Sequence, residues 1–336
     1  MTTDVSLGRW KVTADEITWE SQKKPPIAHP GTRTVRVIHC GICGSDLAKL
    51  SARPYRAHSS GAWTPGHEMV IEDLNGQPAA VNPLIPCQRC THCSHGDIHL
   101  CPGLKRIGWD YPGGFATHIN IPDSNIVPLP YELTDIAVLA DTLATAIHSL
   151  HCARSRANTK SIAIIGTGPL AVATVAVAHL QGWSTVAVVG RHRERLDTIN
   201  PLVGAELALT GMLPTGAFDL VVDAASGTST QPLEEALRII RPGGEIVVLN
   251  AYQPGLQLNT PLRSVFSRSI TLTGSYSHCR NHGSDFLHAL RLLQKHPQWA
   301  NKLMTHRLAM SELPRALSGH ASKPSIKTVL TNEGNQ

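Results

Sequence analysis

The chain has 336 residues, a formal net charge of +5 and a pI near 8.8, with 42% hydrophobic and 16% charged residues. This composition is typical of a globular protein and excludes a disordered or fibrous one, and the length predicts two domains. The positive charge is spread along the chain, which disfavours a nucleic-acid partner and leaves an anionic small molecule as the better match.

Nothing in the sequence indicates a membrane or secretory protein. The first ten residues lack the basic region and apolar core of a signal peptide. The longest apolar run, residues 170–180, contains a Thr and a His and is too short to span a bilayer. We therefore expect a cytoplasmic protein without a membrane partner. Eight cysteines in such a chain indicate metal binding or catalysis before disulfides.

The first segment that carries chemistry is residues 40–46, Cys-Gly-Ile-Cys-Gly-Ser-Asp, which follows a β-rich stretch at 34–39. Its two cysteines have the spacing of half a structural zinc site or of a redox pair, and the segment alone does not choose between them. His67 and Glu68 follow the turn at 65–66 as another strand begins. Such a pair is usually a surface feature, but its nearness to the cysteines suggests a shared site.

A second cysteine cluster lies in a loop rich in polar residues. Cys87, Cys90, Cys93 and Cys101 have the spacing C-x2-C-x2-C-x7-C. Four thiolates at this density can complete a tetrahedral shell around zinc, whereas four free thiols in a loop would be readily oxidised. The pattern predicts a structural zinc site.

From about residue 135 to 150 the apolar residues recur at helical spacing, and Asp141 falls inside this pattern. A buried carboxylate is costly unless it is paired, caps a helix or holds a metal. On the sequence pattern alone, capping or hydrogen bonding is the commoner role for Asp141.

The second half of the chain begins with a buried-type strand at 161–165, followed at once by a glycine-rich turn and an apolar helix to about residue 181. In this strand–turn–helix context Gly166, Gly168, Pro169 and Leu170 form a dinucleotide-binding fingerprint, in which the helix N-terminus receives the pyrophosphate. Strands and helices then alternate to about residue 274, which predicts a parallel sheet with right-handed crossovers.

The end of the second strand in this region indicates which dinucleotide is bound. NAD-specific sites place an Asp or Glu there for the ribose 2′-hydroxyl. This chain has Gly190, followed by Arg191 and, on the next helix, Arg195. Guanidinium groups suit a 2′-phosphate, so NADP(H) is favoured over NAD(H). The alternative is that these arginines only decorate the start of a helix.

Taken together, these motifs resemble those of the zinc-dependent medium-chain alcohol dehydrogenases, in particular the branch of sorbitol, polyol and threonine dehydrogenases. The resemblance covers most of the chain and keeps the family's order. The matching segments are residues 41–46, 66–68, 87–101, 113–116, 166–171, 241–244 and 271–274.

The resemblance implies an α/β fold with two domains. Residues 1–143 would form a GroES-like, β-rich, zinc-binding catalytic domain. Residues 144–276 would form a Rossmann NADP-binding domain with a doubly wound parallel sheet, and residues 277–336 would return to the catalytic domain. Relatives of this kind are homodimers or homotetramers, and the sequence does not choose between these.

The resemblance also assigns roles around a catalytic zinc, in addition to the structural zinc of the four cysteines. Cys43 and His67 would be ligands, and Asp141 would be the favoured third ligand. Glu68 would lie near the metal as an alternate ligand or a balancing carboxylate, and Asp46 would orient His67.

Proton transfer follows from the same resemblance. Ser45 would be the first acceptor of the alcohol proton. Many relatives continue the relay through a His at the position held here by Ala48, so the onward route must use water, a cofactor hydroxyl or another residue.

The expected function is hydride transfer between NADP(H) and a secondary alcohol or polyol and its ketone. One alternative is an NADPH-dependent reductase of aldehydes, including aromatic ones. Another is a non-enzymatic, zinc-stabilised nucleotide-binding regulator, which predicts the loss of a catalytic ligand. A nucleic-acid-binding zinc ribbon explains only the four cysteines.

Overall fold

The structure is a computed structural model that describes residues 7–50, 61–153, 160–227, 229–260, 262–319 and 325–332. The chain divides into two compact units. The first unit combines Met1–Asp141 with Cys279–Gln336, and the second unit is Thr142–His278. Each unit has its own sheet, so each is described separately.

The strands are short and most are buried on at least one face. In chain order they are β1 (Gly8–Val12), β2 (Ile17–Ser21), β3 (Thr32–Gly41), β4 (Glu68–Glu72), β5 (Pro78–Val81), β6 (Leu84–Ile85), β7 (Lys105–Arg106), β8 (His118–Pro122), β9 (Ile126–Pro128), β10 (Ser161–Ile165), β11 (Thr185–Gly190), β12 (Glu206–Leu209), β13 (Phe218–Asp223), β14 (Ile240–Val248), β15 (Thr271–Gly274), β16 (Met304–Ala309) and β17 (Lys327–Thr331).

The helices are of ordinary length, and none in the described ranges is long and apolar enough to cross a bilayer. In chain order they are α1 (Gly44–Leu50), α2 (Thr91–Ser94), α3 (Ala140–Cys152), α4 (Pro169–Leu180), α5 (Arg193–Val203), α6 (Gln231–Ile239), α7 (Leu262–Ser267), α8 (Ser284–Lys295), α9 (Pro297–Leu303) and α10 (Leu313–Gly319).

The sheet of the first unit is built around β3. Its strand order is β16-β17-β3-β4-β5-β9, with β8 also paired to β3. Val35 and Val37 of β3 are fully buried, which fits the alternating pattern of a half-buried strand, and a register shift after Val37 buries Cys40 as well. Because β17 and β4 flank the end of β3 antiparallel to it, Gly41 is paired with Val329 on one side and Glu68 on the other. Residues from both ends of the chain therefore meet beside Gly41.

Three glycines allow backbone segments of the first unit to cross closely. Gly66 has φ +98°, and a Cβ there would lie 2.7 Å from Cys40 Sγ and 2.9 Å from the Phe115 nitrogen. A Cβ on Gly108 or Gly113 would in turn lie within 2.6 Å of the Gly66 carbonyl oxygen. This crossing fixes the segment that enters β4.

The second unit is an open parallel sheet with the order β12-β11-β10-β13-β14-β15. This order is that of the Rossmann fold, with the strand order reversing at β10. The predicted α/β class and parallel sheet are confirmed. Ile162, Ala163 and Ile164 of β10 are fully buried, as expected for a central parallel strand with both faces covered.

β14 begins with an irregular stretch. Residues 241–244 are looped out opposite β13, between the Ile240 and Glu245 pairings. Asp219 holds this stretch, because its Oδ1 accepts a 2.6 Å hydrogen bond from Arg241 Nε while its Oδ2 accepts from the Lys160 and Ser161 nitrogens. These donors lower the pKa of Asp219 to about 2, against the opposing effect of burial.

The glycine crossing gives a stability prediction. Gly66→Ala combines left-handed backbone strain with overpacking, so we expect a loss of about 2–4 kcal/mol in unfolding free energy. Gly76→Ala is the matched control, because Gly76 also has a positive φ but its Cβ would have no neighbour closer than 3.7 Å; it should cost only about 1 kcal/mol. Urea unfolding measures both, and equal costs would show that the close crossing contributes nothing.

Candidate metal and cofactor sites

The structure brings Cys43, His67 and Glu68 together. Their donor atoms, one per residue, all lie within 4.8 Å of one another, and His67 and Glu68 are buried. All three belong to the first unit, at the end of β3 and the start of β4. Among the described residues, Asp141 is not a member of this group, although it is near enough to Lys327 to raise the pKa of that ammonium.

Asp46 links Cys43 to His67. It is fully buried in the first turn of α1, where its Oδ2 accepts a 3.1 Å hydrogen bond from the Cys43 nitrogen. Its Oδ1 lies 3.4 Å from His67 Nδ1, which is a close electrostatic contact rather than an aligned hydrogen bond. Burial lowers the pKa of His67, but the Asp46 carboxylate and Cys43 outweigh burial and raise it well above its usual value. The carboxylate thus orients the ring from the side of Nδ1.

Glu68 forms a fully buried ion pair with Lys327 of β17. Burial lowers the pKa of Lys327, but the charge and hydrogen bond of Glu68, together with Cys43 and Asp141, outweigh burial and raise it. Gly41 makes room for the pair, since a Cβ there would meet Glu68 Oε2 at 2.5 Å and Lys327 Cε at 3.1 Å. Sequence reasoning did not identify Lys327. The sequence feature that could have identified it is a lysine at the start of an apolar strand. Such a lysine implies a buried acidic partner, because a lysine is almost never buried without one.

The remaining predicted residue of this region is Ser45, which is half-buried in the first turn of α1 beside Asp46. Ala48, the position at which the predicted relay departs from its relatives, is exposed on the same helix. The ring of Trp109 lies 6.2 Å from that of His67 and adds an aromatic wall next to the donor cluster.

The four-cysteine segment is a second donor cluster. The sulfur atoms of Cys87, Cys90, Cys93 and Cys101 all lie within 4.8 Å of one another. Their ionisation is unequal: the Arg89 backbone N–H leads the lowering of the Cys87 pKa to about 6, while burial leads the raising of the Cys93 pKa to about 12. Four thiolates cannot accumulate in so small a volume without a cation, which is the property of a tetrahedral zinc shell.

In the second unit, the fingerprint glycines lie where β10 turns into α4. Gly166 has φ +132°, and a Cβ there would lie 2.7 Å from the Ala224 carbonyl oxygen. Gly168 is the N-cap residue of α4, with open space where a Cβ would stand. Pro169 and Leu170 begin the helix, whose first N–H groups have no intrahelical partner. This geometry suits a bound phosphate.

The end of β11 is tightly packed. A Cβ on Gly190 would lie 2.8 Å from Thr167 Cγ2 and 2.9 Å from Leu196 Cδ2, so even a methyl group requires its neighbours to move. Arg191 is exposed and Arg195 is half-buried on α5. Arg191 lines a cavity of about 600 Å³ together with side chains from β12 to α6. The structure therefore places the Arg191 guanidinium at the end of this strand, beside a cavity that Glu234, Glu235 and Arg238 also line.

The buried ion pair gives a second stability prediction. Lys327→Met leaves the Glu68 charge buried and uncompensated, and we expect a loss of about 3–5 kcal/mol in unfolding free energy. Urea unfolding with a chelator present measures it, since a bound cation would otherwise replace the lost charge.

Arg33→Met is the matched control for this variant. It breaks the Arg33–Asp123 pair, whose side chains are about half exposed, and should cost less than about 1 kcal/mol. Adding Glu68→Gln to Lys327→Met should restore part of the stability. A single-variant cost no larger than the control would contradict the importance of the buried pair.

Comparison with known proteins agrees with this geometry. Residues 29–131 match the family model of the alcohol dehydrogenase GroES-like domain. D-altritol 5-dehydrogenase of Agrobacterium fabrum (strain C58) is 28% identical over 323 residues, 89% of this chain and 92% of that protein. L-galactonate-5-dehydrogenase of Escherichia coli (strain K12) is 26% identical over 341 residues, 94% of this chain and 96% of that protein.

Solved structures show the same fold. The crystal structure of galactitol-1-phosphate dehydrogenase from Escherichia coli superposes with a TM-score of 0.85 at 22% identity, over 97% of this chain and 100% of that chain. The three comparisons agree with one another. They are the family-model match, the relatives aligned over most of the chain, and the superposed crystal structure. Residues 29–131 therefore match the alcohol dehydrogenase GroES-like domain, and over most of its length the chain is similar to polyol and sugar-acid dehydrogenases.

Proposed function

We propose that this protein is a zinc-dependent oxidoreductase that transfers a hydride between NADP(H) and a secondary alcohol or polyol and the matching ketone. The observation that carries the proposal is the convergence of Cys43, His67 and Glu68 within 4.8 Å in a buried part of the first unit. A thiolate, an imidazole and a carboxylate form a donor set that suits zinc and leaves a coordination position open.

The donor chemistry fits a catalytic zinc. Asp46 lies on the Nδ1 side of His67, which leaves Nε2 as the nitrogen for the metal. Cys43, His67 and Glu68 would hold the ion, and Asp141 is the second candidate carboxylate. Lys327 fixes the charge balance of Glu68 through their buried pair. When bound, zinc supplies a Lewis acid that favours the ionisation of an alcohol hydroxyl.

The proton from that hydroxyl needs an acceptor supplied by the chain. Ser45 is half-buried in the first turn of α1, next to Asp46 and two residues from Cys43. We propose that its hydroxyl accepts a hydrogen bond from the alcohol and passes the proton onward. With Ala48 unable to continue the relay, the next member is water, a cofactor hydroxyl or another side chain.

NADP(H) as the cofactor is supported by the packing at the end of β11. The absence of space at Gly190 disfavours the carboxylate that binds a ribose 2′-hydroxyl. Arg191, which lines the neighbouring cavity, offers paired hydrogen bonds to a 2′-phosphate. Gly166, Gly168, Pro169 and Leu170 would hold the pyrophosphate, and Arg195 would support the 2′-phosphate from α5.

The relatives suggest the substrate class. Their names specify D-altritol, L-galactonate and galactitol 1-phosphate, and all three specify a 5-dehydrogenase. We propose an open-chain polyol or sugar acid that reacts at a secondary hydroxyl. Cys87, Cys90, Cys93 and Cys101 would hold a structural zinc outside this chemistry.

Metal analysis tests the zinc proposal. Wild-type protein should contain about two zinc ions per chain, because two separate donor clusters are present. Cys43→Ser should retain about one and lose polyol oxidation, since the catalytic shell loses its thiolate. Elemental analysis and NADPH absorbance measure the two results.

Cys90→Ser is the matched control for Cys43→Ser. It should also lose about one zinc, but with a lower thermal stability of the first unit as its main effect. If Cys43→Ser kept the wild-type metal content, the Cys43–His67–Glu68 cluster would not be a zinc site. That result would favour the non-enzymatic alternative.

The cofactor proposal predicts a lower KM for NADPH than for NADH. A charged hydrogen bond to phosphate favours binding by about tenfold or more, so Arg191→Ala should raise the NADPH KM by that factor and leave the NADH KM nearly unchanged. Arg193→Ala is the control, because Arg193 is also exposed at the start of α5 but does not line the cavity. Equal use of both cofactors by the wild type would contradict the proposal.

A further inference from the structure

Two cationic side chains share one indole beside the proposed catalytic cluster. Lys49 Nζ lies 3.6 Å from the centre of the Trp109 ring, and Arg106 Cζ lies 4.8 Å from the same ring. Trp109 itself is 6.2 Å from the His67 ring. All four residues belong to the first unit. Two positive charges therefore contact the Trp109 ring, which lies next to the proposed metal ligand His67.

The two cations differ in their counter-charges. Arg106 Nε has Asp110 Oδ2 at 3.4 Å, and Asp110 also accepts a hydrogen bond from the Arg106 nitrogen. Lys49 forms no ion pair with any carboxylate among the residues that the structure describes. Its ammonium is held by the rings of Trp109 and Trp63, the latter at 4.9 Å.

The surroundings of Lys49 leave its charge incompletely balanced. Burial, followed by the like charge of Arg106, lowers the pKa of Lys49 to about 8, against the opposing effect of Asp46 and Asp110. Cation–π contacts with the two indoles attract the ammonium but do not replace a counter-ion. An anion placed here would restore the lost balance.

The helix places Lys49 next to the reaction site. Lys49 follows Ser45 by four residues in α1 (Gly44–Leu50), so the two side chains share one face of the helix. A molecule whose hydroxyl reaches Ser45 can therefore extend along this face towards Lys49. The half-buried indole of Trp109 lies next to this face and offers an aromatic contact for the carbon chain.

We propose that Lys49 and Arg106 form a subsite for the anionic terminus, phosphate or carboxylate, of an open-chain polyol whose secondary hydroxyl reacts at the Cys43–His67–Glu68 cluster. This inference rests on the proposed function and narrows its substrate class. Arg106 offers a planar pair of donors and Lys49 a compact charge, and both groups suit phosphate and carboxylate oxygens. The reacting hydroxyl and the anion would be at different positions along the substrate, because Ser45 and Lys49 are four residues apart on α1.

The first experiment compares three matched substrates with the full-length, zinc-loaded enzyme and NADP+. They are a six-carbon polyol, its terminal phosphate ester and the aldonate of the same carbon chain. We expect an anionic substrate to exceed the neutral polyol by about tenfold or more in kcat/KM, chiefly through KM. Whichever anion ranks first identifies the terminus, and equal values for all three substrates would overturn the inference while leaving the proposed function intact.

Variants of the two cations test whether these side chains cause the preference for an anionic substrate. Lys49→Gln and Arg106→Gln should each reduce the ratio of anionic to neutral kcat/KM by about tenfold, whereas Lys49→Arg should retain it. Lys302→Gln is the control, because Lys302 is exposed on α9, away from these residues in the sequence. Circular dichroism checks that each variant folds. An unchanged ratio in both glutamine variants would overturn the inference.

The pH profile separates a charge effect from a packing effect. The charged groups that act on the Lys49 ammonium are Arg106, Asp46 and Asp110, and the pKa of Lys49 lies at about 8. The wild-type preference for the anion should fall as pH rises through about 8, since the ammonium loses its proton. Lys49→Arg should keep the preference there because guanidinium stays charged. A wild-type preference that is constant to pH 9.5 would contradict a role for this ammonium.

Calorimetry with inorganic phosphate distinguishes failure of the subsite from failure of the function. Phosphate binding to wild type that is lost in Lys49→Gln, without turnover of any substrate, would support the subsite and refute the proposed reaction. Turnover without phosphate binding and without anion preference would refute the subsite alone. Neither binding nor turnover would overturn both.

Discussion

The buried pair of Glu68 and Lys327 is the constraint on which the first unit depends. Two full charges without solvent are stable only when they remain together, so β4, which begins at Glu68, and β17, which begins at Lys327, must keep their positions on either side of β3. The pair passes over Gly41, where a side chain would collide with both partners. The same register places His67 beside Cys43. One electrostatic requirement thus fixes the sheet and the donor cluster together.

Close backbone packing has a similar role elsewhere in the chain. In the first unit, the mutual approach of Gly66, Gly108 and Gly113 fixes the entry to β4, and therefore the direction of His67. In the second unit, Gly190 packs against Thr167 and Leu196 so tightly that the strand end has no room for a side chain. In both units a glycine, which has no side chain, determines how closely the neighbouring residues approach and where their functional groups lie.

Local patterns in the sequence were sufficient for the fold class and for the motifs. β10, the glycine turn and the apolar helix α4 lie within about twenty residues. Their geometry therefore follows from residues that are close in the sequence. The contacts that could not be predicted act at long range. Lys327 is far along the chain from Glu68, and Trp109 meets Lys49 only after folding. No spacing rule connects such pairs, because their proximity depends on strand order and register. The stretch at 241–244 also depends on a distant residue, since Asp219 on β13 binds Arg241.

Charge is distributed unevenly around the donor cluster, and this distribution supports a common explanation for both halves of the site. Asp46 and Glu68 lie beside Cys43 and His67, and the Lys327 ammonium pairs with Glu68. Such an acid-rich centre gains stability from a bound cation. At Trp109, next to His67, Lys49 and Arg106 add positive charge. Neighbouring regions of opposite charge would orient a substrate that carries a reactive hydroxyl at one end and a negative charge at the other.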